Sequence, residues 1–275
     1  MSVPIFAFGL ACVFLCAAMT GAWFMQRATG NAGWSDAFWS LAVGLAGTAL
    51  ALVPVEGTDY PTTRQLVVAL LVAVWGIRLG SHIALRSMQG KEDSRYAQFR
   101  VEWGDDFQPR LFRFLMIQAA AGAFLALSML LAAQNPVVEF RIQDWLALLV
   151  LAIGIAGETM ADAQLRRFAS DARNKGKVCD AGLWAWSRHP NYFFEWLGWL
   201  AYPLFAVDLS GAHPWGYLAL TGPAFMYWLL VHVSGVPPLE AHMLRSRGDA
   251  FRAYQRRVPA FFPRPPRQDG RPNIR

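Results

Sequence analysis

The chain has 275 residues, 55% of them hydrophobic and only 16% charged, with a formal net charge of +6. With a mean hydropathy of +0.27, that composition is hard to reconcile with one soluble core and points instead to a membrane protein. The basic excess then reports orientation, with some contribution from membrane lipid, and nucleic acid is not an expected partner.

Crossing a hydrocarbon core of roughly 30 Å takes about 20 helical residues. Seven apolar runs approach that length: about 4–25, 36–55, 65–87, 112–133, 143–165, 191–208 and 214–233. The expected fold is therefore all-α, a polytopic integral membrane protein of seven helices. The first run lacks a basic segment before it, so it reads as a retained helix and not a signal peptide. It carries Cys12 and Cys16 one turn apart, while Cys179 stands alone, and no cysteine or histidine spacing suits a metal.

Helix two begins near Asp36, which is either a helix N-cap or a functional acid. In helix three, Arg78, His82 and Arg86 recur at i, i+4 and i+8 and so share one face. The pair Gly76-x-x-x-Gly80 on that helix reads as close helix packing. Helix five carries Glu158, Asp162 and Arg166 at the same spacing, with Arg167 beside them. The loop after it holds Arg173, Lys175, Lys177 and Arg188. His189-Pro190 then opens helix six, where proline loses no needed N–H, and places Asn191 and Glu195 one turn apart. Pro237-Pro238 ends helix seven, and 239–257 mixes Leu239, Met243, Phe251 and Tyr254 with many arginines, as an interfacial amphipathic helix does. One membrane domain is expected: a bundle over 1–235, an interfacial helix over 236–262 closing the site, and a flexible tail over 263–275.

With seven spans, 22 of the 25 Lys and Arg residues fall on one side, and only Arg64 and Arg141 lie on the other, Arg78 being within a span. That side is expected to be cytoplasmic, which puts the N-terminus outside and the C-terminus inside. The polar sets of helices two, three, five and six then share one leaflet. Charges at membrane depth are costly and usually functional, although each could also pair structurally. A wall of Arg166, Arg167, Arg173, Lys175, Lys177 and Arg188 among carboxylates and Asn191 suits a phosphorylated nucleotide. No GxGxxG or GxxxxGK[ST] loop is present.

The stretch Gly182-Leu183-Trp184-Ala185-Trp186-Ser187-Arg188-His189-Pro190-Asn191-Tyr192-Phe193-Phe194-Glu195 resembles the C-terminal signature of the steroid 5α-reductase family, especially its bacterial branch. Gly90-Lys91-Glu92-Asp93-Ser94-Arg95-Tyr96 and the stretch from Gly235 to Gln255 agree with it. Sterol C14-reductases and isoprenylcysteine carboxyl methyltransferases share the Arg-His-Pro core. The resemblance implies NADPH entering from the cytoplasm and a lipid-like steroid enone deeper in the membrane, with no obligate protein partner. Carried over by position, Glu158, Asp162, Arg166, Arg167, Arg173, Lys175, Arg188, His189, Asn191, Tyr192 and Glu195 would contact the cofactor. So would His82, Arg86, Asp93 and Arg95, with Glu240, His242 and Arg245 closing the pocket. Methyltransferases of this group bind S-adenosylmethionine, which has no phosphate, so the basic 166–177 segment favours the reductase.

Reduction of a 3-oxo-4-ene requires hydride at the β-carbon and a donor on the carbonyl oxygen. Mammalian members use a glutamate in helix two and a tyrosine in helix three for the ketone. Here Trp75 and Arg78 stand where that tyrosine is sought, so a protonated Asp36 is the expected donor, supported by Arg78 or His82. A transporter would need polar groups continuing to the outer face, and the outer connections carry few charges.

Overall fold

The computed structural model describes residues 3–58, 60–90, 92 and 94–265, and every regular element among them is helical. The helices are α1 (Val3–Thr29), α2 (Trp34–Ala51), α3 (Thr63–Met88), α4 (Ser94–Trp103), α5 (Phe107–Ala133), α6 (Ile142–Ser170), α7 (Pro190–Trp199), α8 (Ala201–Ala206), α9 (Thr221–Trp228) and α10 (Val236–Arg257). By length and composition five helical stretches can cross a membrane: Val3–Thr29, Thr63–Met88, Arg95–Ala133, Ile142–Ser170 and Pro214–Arg257.

The two remaining expected spans are shorter than the sequence suggested. The run 36–55 is α2, which stops at Ala51. The run 191–208 is two helices, α7 and α8, parted at Leu200. Pro203 accounts for the break, because it has no N–H for the carbonyl of Trp199, four residues back, and its ring crowds that carbonyl. In the run 214–233 a 3-10 stretch (Pro214–Leu220) leads into α9 and then a π-helical turn (Leu229–Val233). Pro237 and Pro238 do not merely end this segment: they lie in the first turn of α10, where a missing N–H costs nothing.

The described residues fall into two compact units, one within Met1–Ala147 and Tyr202–Gly222, the other within Leu148–Ala201 and Pro223–Arg275. In the first, α2 packs on α1, α3 and α5. A Cβ placed on Gly76 would lie 2.7 Å from the Gly44 Cα, so α2 and α3 touch backbone to backbone. At Gly80 the added atom would lie 2.5 Å from the Leu41 side chain, which is the close packing that the Gly76-x-x-x-Gly80 spacing predicts.

Arg64 and Arg141, which charge counting leaves as exceptions, form a lock in this unit. Arg64 opens α3 behind a capping box of Thr62 and Gln65 and is 1% exposed. Its Nε and Nη2 donate to Asp144 at 3.3 and 2.8 Å, and the guanidinium also reaches the carbonyls of Asn135, Val137 and Glu139. Arg141 donates to the same carboxylate through its Nη2 at 2.9 Å and to the carbonyls of Phe205 and Val207. Every strong donor in the cluster therefore has an acceptor, as burial of charge requires.

In the second unit, α6 and α7 meet at small residues. A Cβ on Gly154 would lie 2.9 Å from the Phe194 carbonyl oxygen and 3.0 Å from the Gly198 Cα. Helix α10 bends at Gly248, whose φ of 51° belongs to glycine, and Phe251, Tyr254 and Val258 beyond the bend bury against Val178, Met243 and Leu244. On the segment expected as an interfacial helix, Phe251 and Tyr254 are thus buried in protein, while Leu239 and Met243 are half-buried.

Candidate functional site

Apart from the lock at Asp144, each unit brings some of the expected site residues into a polar cluster. In the first, the chain between α1 and α2 is tied to the last turn of α3 and to the segment after it: Asn31 Nδ2 donates to the Ser87 carbonyl at 3.2 Å, and the Ala32 N–H donates to Glu92 at 3.0 Å. These ties bring the start of α2 beside α4. Asp36 Oδ2 then pairs with Arg95 Nη2 at 2.6 Å, and Asp36 Oδ1 accepts the Tyr96 hydroxyl at 2.7 Å. Gly33 caps α2, so Asp36 is not the N-cap that its position allowed. Tyr96 is 1% exposed, its ring packed edge-on against Phe99 and Phe114, with Arg95 over one face. Asp36 therefore acts as an acceptor, and the buried donor in the cluster is the Tyr96 phenol.

The second cluster is built on the loop between α6 and α7. That loop is held from both sides: Gln164 Oε1 accepts the Leu183 N–H, the Ala161 carbonyl accepts Trp184 Nε1, and the Tyr254 hydroxyl donates to the Trp184 carbonyl. The chain after α10 runs back along it, with the Arg188 N–H donating to Pro259 O and the Arg264 N–H to Trp186 O, both at 2.9 Å. The Ser187 hydroxyl, 0% exposed, donates to the Phe261 carbonyl at 2.8 Å and accepts the His189 N–H at 3.1 Å. Phe261 meanwhile packs on Phe193, Trp196 and Tyr227.

On this platform Glu240 collects three donors. Its Oε1 accepts Arg188 Nε at 2.7 Å and His189 Nε2 at 3.0 Å, and its Oε2 accepts Gln255 Nε2 at 2.7 Å. Glu240 follows the apolar stretch 214–233, in the polar part of the chain. Burial pushes its carboxyl up, but the hydrogen bonds from His189 and Arg188 outweigh burial and hold it down at about 2. Beside this group Asn191 Nδ2 donates to Asp162 Oδ1 at 3.1 Å, and Glu195 Oε1 accepts Trp199 Nε1 at 3.0 Å. Glu158, one turn before Asp162, is buried.

The expected site residues thus separate. Asp36 and Arg95 meet in the first unit, where α3 carries Arg78 and Arg86 half-buried and His82 exposed. Arg188, His189 and Glu240 meet in the second, as do Asp162 and Asn191, with the Tyr192 ring stacked on His189. The basic segment behaves differently: Arg166, Arg167 and Lys175 are exposed, and Arg173 folds back on Asp171 at 2.7 Å. Arg245 is exposed and His242 half-buried on α10, while Asp93 lies outside the described residues. Tyr96 is the functional candidate that sequence reading missed. It was sought within helix three but comes from α4, and its signal was the Gly90–Tyr96 motif that ends on it.

The model of the DUF1295 family, described as proteins of unknown function, matches residues 22–258. The chain belongs to that family. DUF1295 is a steroid 5α-reductase-like family, and the matched range includes Asp36, Tyr96, the α6–α7 loop and Glu240. An uncharacterized protein of Schizosaccharomyces pombe is 27% identical over 237 residues, which are 76% of this chain and 66% of that protein. This chain therefore spans just under two thirds of the relative's length. No solved structure matches it.

Proposed function

We propose that this DUF1295 protein is an NADPH-dependent reductase of the 4,5 double bond of 3-oxo-4-ene steroids, or of a similar apolar enone. On this proposal α2 and the α7–α8 pair complete seven spans in a bacterial inner membrane, with the N-terminus periplasmic and the nucleotide site cytoplasmic. The observation that carries the reading is the buried Tyr96 phenol held on Asp36, with Arg95 balancing the carboxylate.

Enone reduction needs such a donor. As a hydride reaches the β-carbon, the electron pair of the double bond moves toward the carbonyl oxygen, and the α-carbon later takes a proton. Tyr96, whose one hydroxyl hydrogen rests on Asp36, would turn it to that oxygen when the ketone binds, and Arg95 would balance the Asp36 carboxylate left behind. A buried donor aimed at a growing oxyanion contributes roughly 10²–10³ in rate. When bound, NADPH supplies the hydride. Asn191, Asp162, Glu158 and His189 offer amide, carboxylate and imidazole partners for hydroxyl and amide groups, a set that fits the uncharged parts of a dinucleotide. The exposed Arg166, Arg167 and Lys175 would take its phosphates.

One observation favours a second reading. The basic side chains of 166–177 stand apart from the buried donors, and Arg173 is paired with Asp171. A nucleoside without phosphates would fit the buried groups equally well, as in a methyltransferase using S-adenosylmethionine. Purified protein in detergent should oxidise NADPH when a 4-ene-3-ketosteroid is added. Methyl transfer from S-adenosylmethionine without NADPH turnover would reverse the order of the two readings.

A further inference from the structure

Among the described residues of the second unit, one buried side-chain atom has no hydrogen-bond partner: Nδ1 of His189, a residue 2% exposed. Buried polar atoms almost always find partners, so such an atom calls for an explanation. The ring cannot turn to relieve it. Its Nε2 is held by Glu240 at 3.0 Å, and Tyr192 lies parallel to it at 5.5 Å with an interplanar angle of 7°. The backbone is fixed as well, since the His189 N–H donates to Ser187 Oγ at 3.1 Å and its carbonyl accepts the Phe193 N–H at 3.1 Å.

The network also sets the proton's place. Glu240 already accepts Arg188 on Oε1 and Gln255 on Oε2, so it is a carboxylate with only acceptor capacity. Nε2 must then be the ring nitrogen that carries hydrogen. In a neutral imidazole Nδ1 is left with a bare lone pair, which accepts and does not donate. A phosphate or carboxylate, having only lone pairs to offer, would meet this atom with repulsion.

We infer that His189 Nδ1 accepts a hydrogen bond from a hydroxyl or amino group of a nucleoside, and so reads the sugar or base and not a phosphate. This rests on the nucleotide-binding reading of the second unit. It does not depend on which of the two ligands binds, because NADPH and S-adenosylmethionine share an adenosine with a free ribose 3′-hydroxyl and a 6-amino group. It also divides the labour: the carboxylate-paired histidine selects the nucleoside, and exposed cations are left for any phosphates.

The test uses the full chain in detergent with ¹⁵N-labelled histidine rings, His189 being assigned by its loss in His189→Phe. In the free protein its Nδ1 should resonate as an unprotonated, pyridine-type nitrogen. Added NADPH should move that signal upfield while leaving it unprotonated, as acceptance of a hydrogen bond does. If NADPH binds by fluorescence titration but the signal stays put, or becomes a protonated nitrogen, the inference is wrong and the reductase reading stands. If NADPH fails to bind but S-adenosylmethionine moves the signal, the inference stands and the reductase reading falls. Binding of neither ligand overturns both. His189→Phe keeps a ring against Tyr192 and should weaken binding of whichever ligand binds roughly three- to tenfold, the worth of one hydrogen bond.

Discussion

Asp144→Asn should be among the most damaging single substitutions in the chain. The Asp144 side chain is 0% exposed and takes hydrogen bonds from Arg64 Nε and Nη2 and from the N–H, Nε and Nη2 of Arg141. An amide of the same size keeps one acceptor oxygen but removes the charge, leaving the Arg64 guanidinium without its paired carboxylate and Arg141 with Asp208 alone. Breaking a buried pair in this way typically costs about 3–5 kcal/mol. Arg64 retains carbonyl acceptors, and Arg141 retains Asp208 at 3.8 Å, so the expected loss is near the lower figure, about 3 kcal/mol. The exposed pair of Arg252 and Asp249, at 61% and 96%, provides the contrast: Asp249→Asn should change stability by less than about 1 kcal/mol. Unfolding of the detergent-solubilised protein in increasing SDS, followed by helical circular dichroism, measures both. In a double-mutant cycle Arg64→Met should cost less in the Asp144→Asn background than alone. An Asp144→Asn protein within 1 kcal/mol of wild type, with an additive cycle, would refute the argument from burial.

Three further outcomes are expected. Tyr96→Phe removes the phenol hydrogen without changing the ring, so kcat for enone reduction should fall roughly 10²–10³-fold while NADPH affinity holds; a loss below threefold would remove Tyr96 from the chemistry. Glu240→Gln should destabilise the protein at neutral pH. The Glu240 carboxyl titrates lower folded than unfolded, so its contribution is present above the ordinary value of 4.5 and lost as pH falls toward about 2. The stability gap between wild type and Glu240→Gln should therefore be constant from pH 8 to 6 and close in acid; a gap that widened in acid would contradict the network. Gly76→Ala forces a Cβ to within 2.7 Å of the Gly44 backbone and should cost about 1–3 kcal/mol, whereas Gly9→Ala, with nothing within 4 Å, should not destabilise. Equal behaviour of the two would argue against backbone contact between α2 and α3.

The α6–α7 loop shows how far local pattern carries. Proline after His189, followed by an apolar run, predicts a helix start with a polar N-terminus, and α7 begins at Pro190 with His189 as its cap. Asp162 and Asn191, each one turn from a further polar residue on its own helix, were both visible as candidates, and the packing of α6 on α7 brings them together. The partner of Arg188 and His189 was harder to see. Glu240 is 51 residues from His189, and no periodicity links positions so distant. Tyr96 shows the same limit on the first unit: the motif ending at Gly90–Tyr96 was visible, but not that it folds beneath the start of α2.

By itself the sequence determined that the chain is helical, that it carries helices long and apolar enough to cross a membrane, and about where they begin, since hydropathy and helix period act over one or two turns. It also set which small residues allow close packing, as at Gly76 and Gly80. Tertiary structure alone decided which charges neutralise one another. Arg64 and Asp144 are 80 residues apart, Asp36 and Arg95 are 59, and in both pairs burial strengthens the contact. Only the folded chain supplies that burial, so counting charges finds the candidates but cannot distinguish the lock at Asp144 from the donor pair at Asp36.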